Sequence, residues 1–290
     1  MPDQPVFRFA PSPNGELHLG HAFSALFTAQ AAAQAGGRFL LRIEDIDQTR
    51  ARADYETQIY KDLAWLGLHW EEPVRRQSQH FADYQRALDT LMSAELIYPC
   101  FATRAQIATA SLAKDPDGAP LYSGLWRDAP AAQVADQMAA GTPYALRLNM
   151  ARALQLAPAD LVFKEELQGP GGEHGLVRAT PAIWGDVIIA RKDVPTSYHL
   201  AVVVDDALQG ITHVTRGQDL FYATHIHRVL QALLDLPTPR YRHHRLICDE
   251  TGRKLSKSVR DTSLRALRDG GATPADICRM VGFEAQGTVR

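Results

Sequence analysis

The sequence predicts an α/β fold built on a parallel sheet, with an inserted α+β subdomain and a short C-terminal helical segment. Two observations carry this expectation. Strand-like, loop, helical and strand-like stretches follow one another within residues 6–43, the order of a βαβ unit with a right-handed crossover. The pattern then lapses over 99–175, a stretch rich in Ala, Pro, Gly and Asp, and resumes from 176. At 290 residues, 46% hydrophobic and 22% charged, the chain can bury the core of about two domains and is neither a disulfide-stapled miniature nor globally disordered.

Each element follows from local pattern. VFRFA alternates as a short strand, and PSPNG cannot continue it. From His21, HAFSALFTAQAAAQA is rich in helix formers, and Gly36-Gly37 ends it as a left-handed cap would. RFLLRI follows as a buried strand. Residues 49–66 place Tyr55, Ile59, Leu63 and Leu66 at helical spacing, with Gly67 as the stop; 80–94 does the same with Tyr84, Leu88, Leu91 and Met92. Within the insert, YALRLN and DLVFKEEL are β-like. The α/β pattern returns with DVIIARKD, YHLAVVVDD and GITHVTRG, a helix spans 220–234, and RYRHHRLICDETGRKLSKS is a strand followed by a loop. The last thirty residues contain one or two short helices, the final one opened by Thr273 or Pro274.

Several function classes are excluded. The most apolar stretch, 22–35, is interrupted by Ser24, Thr28, Gln30 and Gln34, short of the run of about 20 apolar residues that spans a bilayer. The amino terminus, MPDQPVFRFAPSP, lacks the basic-then-apolar order of a signal peptide; no membrane association and a cytoplasmic location are expected. Cys100, Cys248 and Cys278 are odd in number and scattered, which fits neither a disulfide framework nor a self-contained structural zinc site. A net charge of −2 means that a nucleic-acid partner would need a local patch.

Two motifs carry chemistry. His18-Leu19-Gly20-His21 stands where the first strand turns into its helix, and two imidazoles beside exposed backbone N–H groups suit phosphate oxygens there. Gly20 lets a base or ribose approach the backbone. Taken alone the tetrapeptide is as consistent with solvated or capping histidines. Lys254-Leu255-Ser256-Lys257-Ser258 sits in a loop after the second α/β half; two ammonium groups with adjacent hydroxyls can neutralise charge on a triphosphate. Alone, such a loop is more often merely solvated. A fold that joins the two halves would set both motifs on one nucleotide.

HLGH with a closing KLSKS resembles the signature pair of the class I aminoacyl-tRNA synthetases. RFAPSPNGELHLGH, LLRIEDID and YHLAVVVDDALQGITHVTRG resemble their glutamyl branch, so that the matches run from Arg8 to Ser258. The resemblance implies a Rossmann-like catalytic domain, with its first half at 1–98, an inserted acceptor-type subdomain at 99–175, its second half with the lysine–serine loop at 176–260, and a short helical segment at 261–290. It implies ATP binding by His18, Gly20, His21, Lys254, Ser256 and Lys257, with His18, His21 and Lys257 acting on the phosphates as an aminoacyl-adenylate forms. Magnesium would arrive with the triphosphate.

By the same resemblance, Arg8, Ala10, Ser12, Glu44, Tyr198 and Arg216 line a glutamate pocket. Charge agrees: glutamate carries two carboxylates and one ammonium, which call for two cations and one acid, and Arg8, Arg216 and Glu44 supply them. Taken singly, Arg216 would be read as an ordinary ion pair and Tyr198 as a half-buried tyrosine. Little chain follows Ser258, so no anticodon-binding domain is expected. The truncated relatives with this organisation, the glutamyl-Q tRNA(Asp) synthetases, activate glutamate without tRNA and attach it to the cyclopentenediol of queuosine at the wobble position of tRNA(Asp). The implied partners are therefore glutamate, ATP and queuosine-bearing tRNA(Asp), with the protein as a monomer.

Members of this group often hold zinc through a Cys-x-Cys pair, a tyrosine and a further cysteine. Here those positions read Cys100, Ala102, Tyr122 and Trp126, so no zinc is expected. Arg240-Tyr241-Arg242-His243-His244-Arg245, and Arg75-Arg76 in a polar connection, are equally an RNA-reading surface or a solvated basic strand. The rival readings are a truncated glutamyl-tRNA synthetase charging the 3′ end of tRNA(Glu), a small-molecule nucleotidyltransferase, and a catalytically silent RNA-binding module.

Overall fold

The computed structural model describes residues 4–248 and 262–283. The chain opens with β1 (Val6–Phe9), α1 (Leu19–Gln34), β2 (Arg38–Ile43), α2 (Ala53–Trp65), β3 (Glu71–Arg76) and α3 (Phe81–Ser93). It continues through β4 (Ile97–Cys100), α4 (Arg104–Ala110), α5 (Ala131–Ala139), β5 (Ala145–Leu148), α6 (Met150–Leu156), β6 (Val162–Glu165), β7 (Gly175–Arg178) and β8 (Ile188–Ala190). The remainder is α7 (Tyr198–Leu208), β9 (His213–Gly217), α8 (Ala223–Leu233), β10 (Arg240–His244), α9 (Leu264–Asp269) and α10 (Pro274–Met280).

Seven strands form one sheet in the order β3-β2-β1-β9-β10-β6-β7, parallel except for β7. The winding reverses between β1 and β9, and ligands in such sheets collect at the strand carboxyl ends beside that switch. Along β1 and β2 the period of two sends Phe7, Phe9, Leu41 and Ile43 to a core shared with α1 and α2. Val6 and Leu40 face the opposite core, which contains Leu200 and Val203 of α7 and Ile226 and Leu230 of α8. Arg8 and Arg42 alternate with those apolar residues. Both are buried, so both need acidic partners from the covering helix.

Four sequence expectations are corrected. EEPVRR, read as a polar connection, is β3 at the sheet edge: Arg75 pairs with Asp205 and Asp83, and Arg76 with Glu56. Met92, assigned to the apolar side of α3, is half exposed. The helix expected from His21 starts at Leu19, because the His18 side chain caps it. β6, inside the stretch expected as the insert, joins the large sheet, whereas β8, beyond that stretch, pairs with β5 in a three-stranded antiparallel sheet β4-β5-β8. β6 and β8 are only four and three residues long, so distant partners decide their sheet.

The C-terminal helices brace the first turn. Leu264 is fully buried in the same core as Leu17, and its backbone N–H donates to the Leu17 carbonyl at 2.8 Å. Thr273 caps α10 with Pro274 in its first turn.

Candidate active site

A cavity of about 520 Å³ opens at the carboxyl ends of β1 and β9. His18, Gly20 and His21 line it, and so do Arg8, Ala10, Ser12, Glu44, Tyr198 and Arg216. All nine sequence-nominated residues within the described parts of the chain therefore meet in one space. Lys254, Ser256 and Lys257 lie outside the described residues.

His18 is the N-cap of α1. Its Nδ1 accepts from the Gly20 N–H at 3.1 Å, and His21 Nδ1 accepts from the His18 N–H at 3.2 Å. The two rings lie 3.9 Å apart. With each Nδ1 accepting, a neutral ring carries its proton on Nε2. Gly20 has a second reason to be glycine, because a Cβ there would stand 2.9 Å from Cε1 of His18.

The opposite part of the cavity is a charge lattice. Arg8 makes a two-pronged pair with Asp206, through Nε at 3.0 Å and Nη2 at 3.3 Å. Arg42 donates to Asp206 at 2.7 Å and to Glu44 at 3.0 Å. Burial works against the Asp206 carboxylate, but Arg8 and Arg42 outweigh it and hold it below the usual carboxylate range. Glu44 goes the other way: burial pushes it up despite Arg42 and Arg8. It stands at the end of β2, where its N–H donates to the Pro11 carbonyl at 3.0 Å.

Arg216 is held by neutral groups. Nε donates to His243 Nε2 at 3.1 Å and Nη2 to Thr224 Oγ1 at 2.6 Å, while Nη1 reaches His227 Nδ1 at 3.1 Å and the Tyr198 hydroxyl at 3.4 Å. Tyr198 begins α7, which Ser197 caps. Burial raises the Tyr198 hydroxyl pKa, so it is a neutral hydrogen-bonding group at pH 7.

Sequence reasoning missed Asp206, Arg42, His227 and His243. One signal was available: paired aspartates at the end of the apolar run YHLAVVVDD must be buried, and buried carboxylates need cations. The RYRHHR strand divides: Arg240 and Arg245 are exposed, as an RNA-reading surface needs, whereas its inward positions belong to the core. Tyr241 and His243 are buried on an interior strand, Arg240 pairs with Glu166, Arg242 lies over Phe27, and Arg245 lies over Phe23 and donates to the Val281 carbonyl.

The four positions compared with a zinc site are packed. Cys100, Ala102 and Tyr122 form a buried cluster with Trp126 at its edge, Cys100 Sγ donates to the Tyr122 hydroxyl at 3.4 Å, and Arg147 lies 3.9 Å over the Tyr122 ring. Ala102 and Trp126 offer no ligand atom for zinc, so this donor set does not fit a tetrahedral site. Among the described residues no group of three or more His, Cys, Asp or Glu side chains could hold a metal, and no helix is long and apolar enough to cross a membrane.

The fold and this cavity define a class I aminoacyl-tRNA synthetase catalytic domain, and the chain belongs to that family: the family described as tRNA synthetases class I (E and Q), catalytic domain, matches residues 6–285. It is 46% identical over 289 residues to a protein of Rhodobacter capsulatus named glutamyl-Q tRNA(Asp) synthetase, covering 96% of this chain and 100% of that one. A protein of Nitratidesulfovibrio vulgaris with the same name is 38% identical, covering 93% and 83%. A crystal structure of glutamate-tRNA synthetase from Elizabethkingia anophelis superposes with a TM-score of 0.72 at 26% identity. That match covers 93% of this chain and 54% of the larger enzyme, so the chain spans about half of it.

Proposed function

We propose that the protein activates glutamate with ATP in the absence of tRNA and transfers it to the queuosine cyclopentenediol of tRNA(Asp). The observation that carries the first step is the single cavity in which a capped helix N-terminus bearing two histidines meets the guanidinium groups of Arg8 and Arg216 and the carboxylate of Glu44. The helix end suits the ATP phosphates, and Arg8, Arg216 and Glu44 suit the two carboxylates and one ammonium of glutamate. The acceptor rests on the names of the relatives that match this chain along most or all of their length.

In this reading the glutamate α-carboxylate oxygen attacks the α-phosphorus of ATP and pyrophosphate leaves. His18 and His21 hold the phosphates beside the new bond, with Gly20 letting the nucleotide approach. Lys254, Ser256 and Lys257 draw on the departing pyrophosphate. Ala10 and Ser12 at the end of β1, with Tyr198, shape the glutamate side of the cavity. Magnesium accompanies the triphosphate, held mainly by phosphate oxygens and water. A hydroxyl of the diol then attacks the mixed anhydride, forming the ester and releasing AMP. Zinc takes no part, and the protein works as a cytoplasmic monomer.

Glutamate-dependent ATP–pyrophosphate exchange without tRNA tests the first step, with glutamine and aspartate as controls and Lys257→Ala as the blank. Exchange with glutamate alone is expected, followed by transfer to queuosine-containing tRNA(Asp). Exchange only after adding tRNA(Glu) would make the protein a tRNA-dependent glutamyl-tRNA synthetase instead.

A further inference from the structure

Strand register brings a chain of polar side chains together on one face of the sheet. Tyr241 of β10 stands opposite Glu165 of β6, and His243 of β10 opposite Arg216 of β9. Glu165, His243 and Arg216 are all buried. Glu165 Oε1 accepts two backbone N–H groups, from His243 at 3.1 Å and from Leu167 at 3.0 Å, and Oε2 lies 2.6 Å from His243 Nδ1. A carboxylate so placed accepts on both oxygens, so the imidazole proton belongs on Nδ1 and leaves Nε2 to receive Arg216 Nε–H.

On the other side His227 mirrors this arrangement. Its Nδ1 accepts from Arg216 and its Nε2 faces His199 Nδ1 at 3.2 Å. Burial lowers the pKa of His243 and His227, with the Arg216 charge adding to it, so both rings are neutral at pH 7.

The two arginines assigned to the glutamate pocket are therefore different. Arg8 already shares its charge with Asp206, whereas among the described residues no carboxylate lies within ion-pair distance of Arg216. Neutral acceptors fix the orientation of Arg216 while leaving its charge for a ligand. A carboxylate there gains ion pairing that an amide does not.

We infer that Glu165 and His243 are positioning residues for Arg216, and that by fixing it as an oriented, uncompensated cation they set the preference of the pocket for glutamate over glutamine. This rests on the proposed glutamate site. The discriminating variant is Glu165→Gln. Its amide oxygen must meet the two backbone N–H groups, so its NH2 faces His243 Nδ1. The ring proton is then forced onto Nε2, where it opposes Arg216 Nε–H.

In the exchange assay Glu165→Gln is expected to raise the glutamate KM about tenfold, the effect of one buried hydrogen bond to a charged group, and to leave the ATP KM unchanged. The ratio of glutamine to glutamate kcat/KM should rise with it. A lower melting temperature with KM and ratio unchanged would overturn the inference and make the pair a brace of the sheet. Nitrogen-15 NMR of the wild-type protein supplies a readout independent of that variant's folding: His243 is expected as the Nδ1–H tautomer, and the Nε2–H tautomer or an imidazolium would overturn the inference. Failure of the wild type to exchange with glutamate would instead strike the proposed function, whatever the tautomer.

Discussion

Arg8 on β1 and Asp206 on α7 meet in a two-pronged ion pair, 3.0 and 3.3 Å, across 198 positions of sequence. The pair fastens the strand that ends in the cavity to the helix that begins beside it. Arg42 joins from the neighbouring strand, so one carboxylate orders two buried guanidinium groups. A half-broken buried pair is costly because the remaining charge has no water to turn to.

Asp206→Asn should therefore destabilise the protein by about 3–5 kcal/mol. Urea unfolding of the variant and the wild type measures this. An unchanged midpoint would show that Glu44 and Asp205 neutralise both arginines unaided.

Gly20→Ala separates stability from function. In the first turn of α1 an alanine favours the helix by about 1 kcal/mol, but its Cβ would meet the His18 ring at 2.9 Å. Exchange is expected to fall about 100-fold, the scale of a 1 Å misplacement near reacting atoms, with thermal stability little changed because the weakened His18 cap offsets the gain in helix propensity. Full activity would mean that the position of the His18 ring does not matter to the chemistry.

Stability should fall on mild acidification. Burial lowers His199, His225 and His243 to pKa values of about 4, while the unfolded chain titrates them near ~6.5. Below about pH 6.5 the unfolded state takes up protons that the native state refuses, so native stability drops from there towards about pH 4, by up to about 1.4 kcal/mol per pH unit for each group. Unfolding free energies between about pH 7.5 and about pH 5 test the sign, and a flat profile would contradict it.

Replacing Arg242 and Arg245 together by alanine should lower adenylate formation and transfer in equal measure. Both lie over aromatic rings of α1, contacts worth about 0.5–1 kcal/mol each, and Arg245 also lines the cavity. Loss of transfer with exchange intact would instead assign these arginines to RNA contact.

Elemental analysis of protein purified without chelators should find no stoichiometric zinc, since Cys100 and Tyr122 are bonded to each other in a packed cluster. Stoichiometric zinc that disappears in Cys100→Ser would show that other ligands complete the site.

The HLGH turn was legible because its causes are local. The cap, the helix start and the glycine all act within three residues of His18. YHLAVVVDD was less so: its β-branched run suits a strand, yet it is helical because Ser197 caps it and the sheet covers its apolar side. EEPVRR, with a proline and four charged residues, concealed a strand because an edge strand needs neither burial nor an unbroken row of N–H donors.

By itself the sequence determined the βαβ opening, the boundaries of α1, α2, α3 and α8 to within a few residues, and which residue types could bind phosphates and glutamate. These depend on periodicity, capping and composition over short spans. Only the tertiary structure decided that Asp206 belongs to Arg8, that His243 and His227 hold Arg216, and that Arg75 pairs with the buried Asp205. The physical reason is desolvation. A buried charge must find a partner wherever the fold brings one within about 3 Å, and that distance bears no relation to separation along the chain.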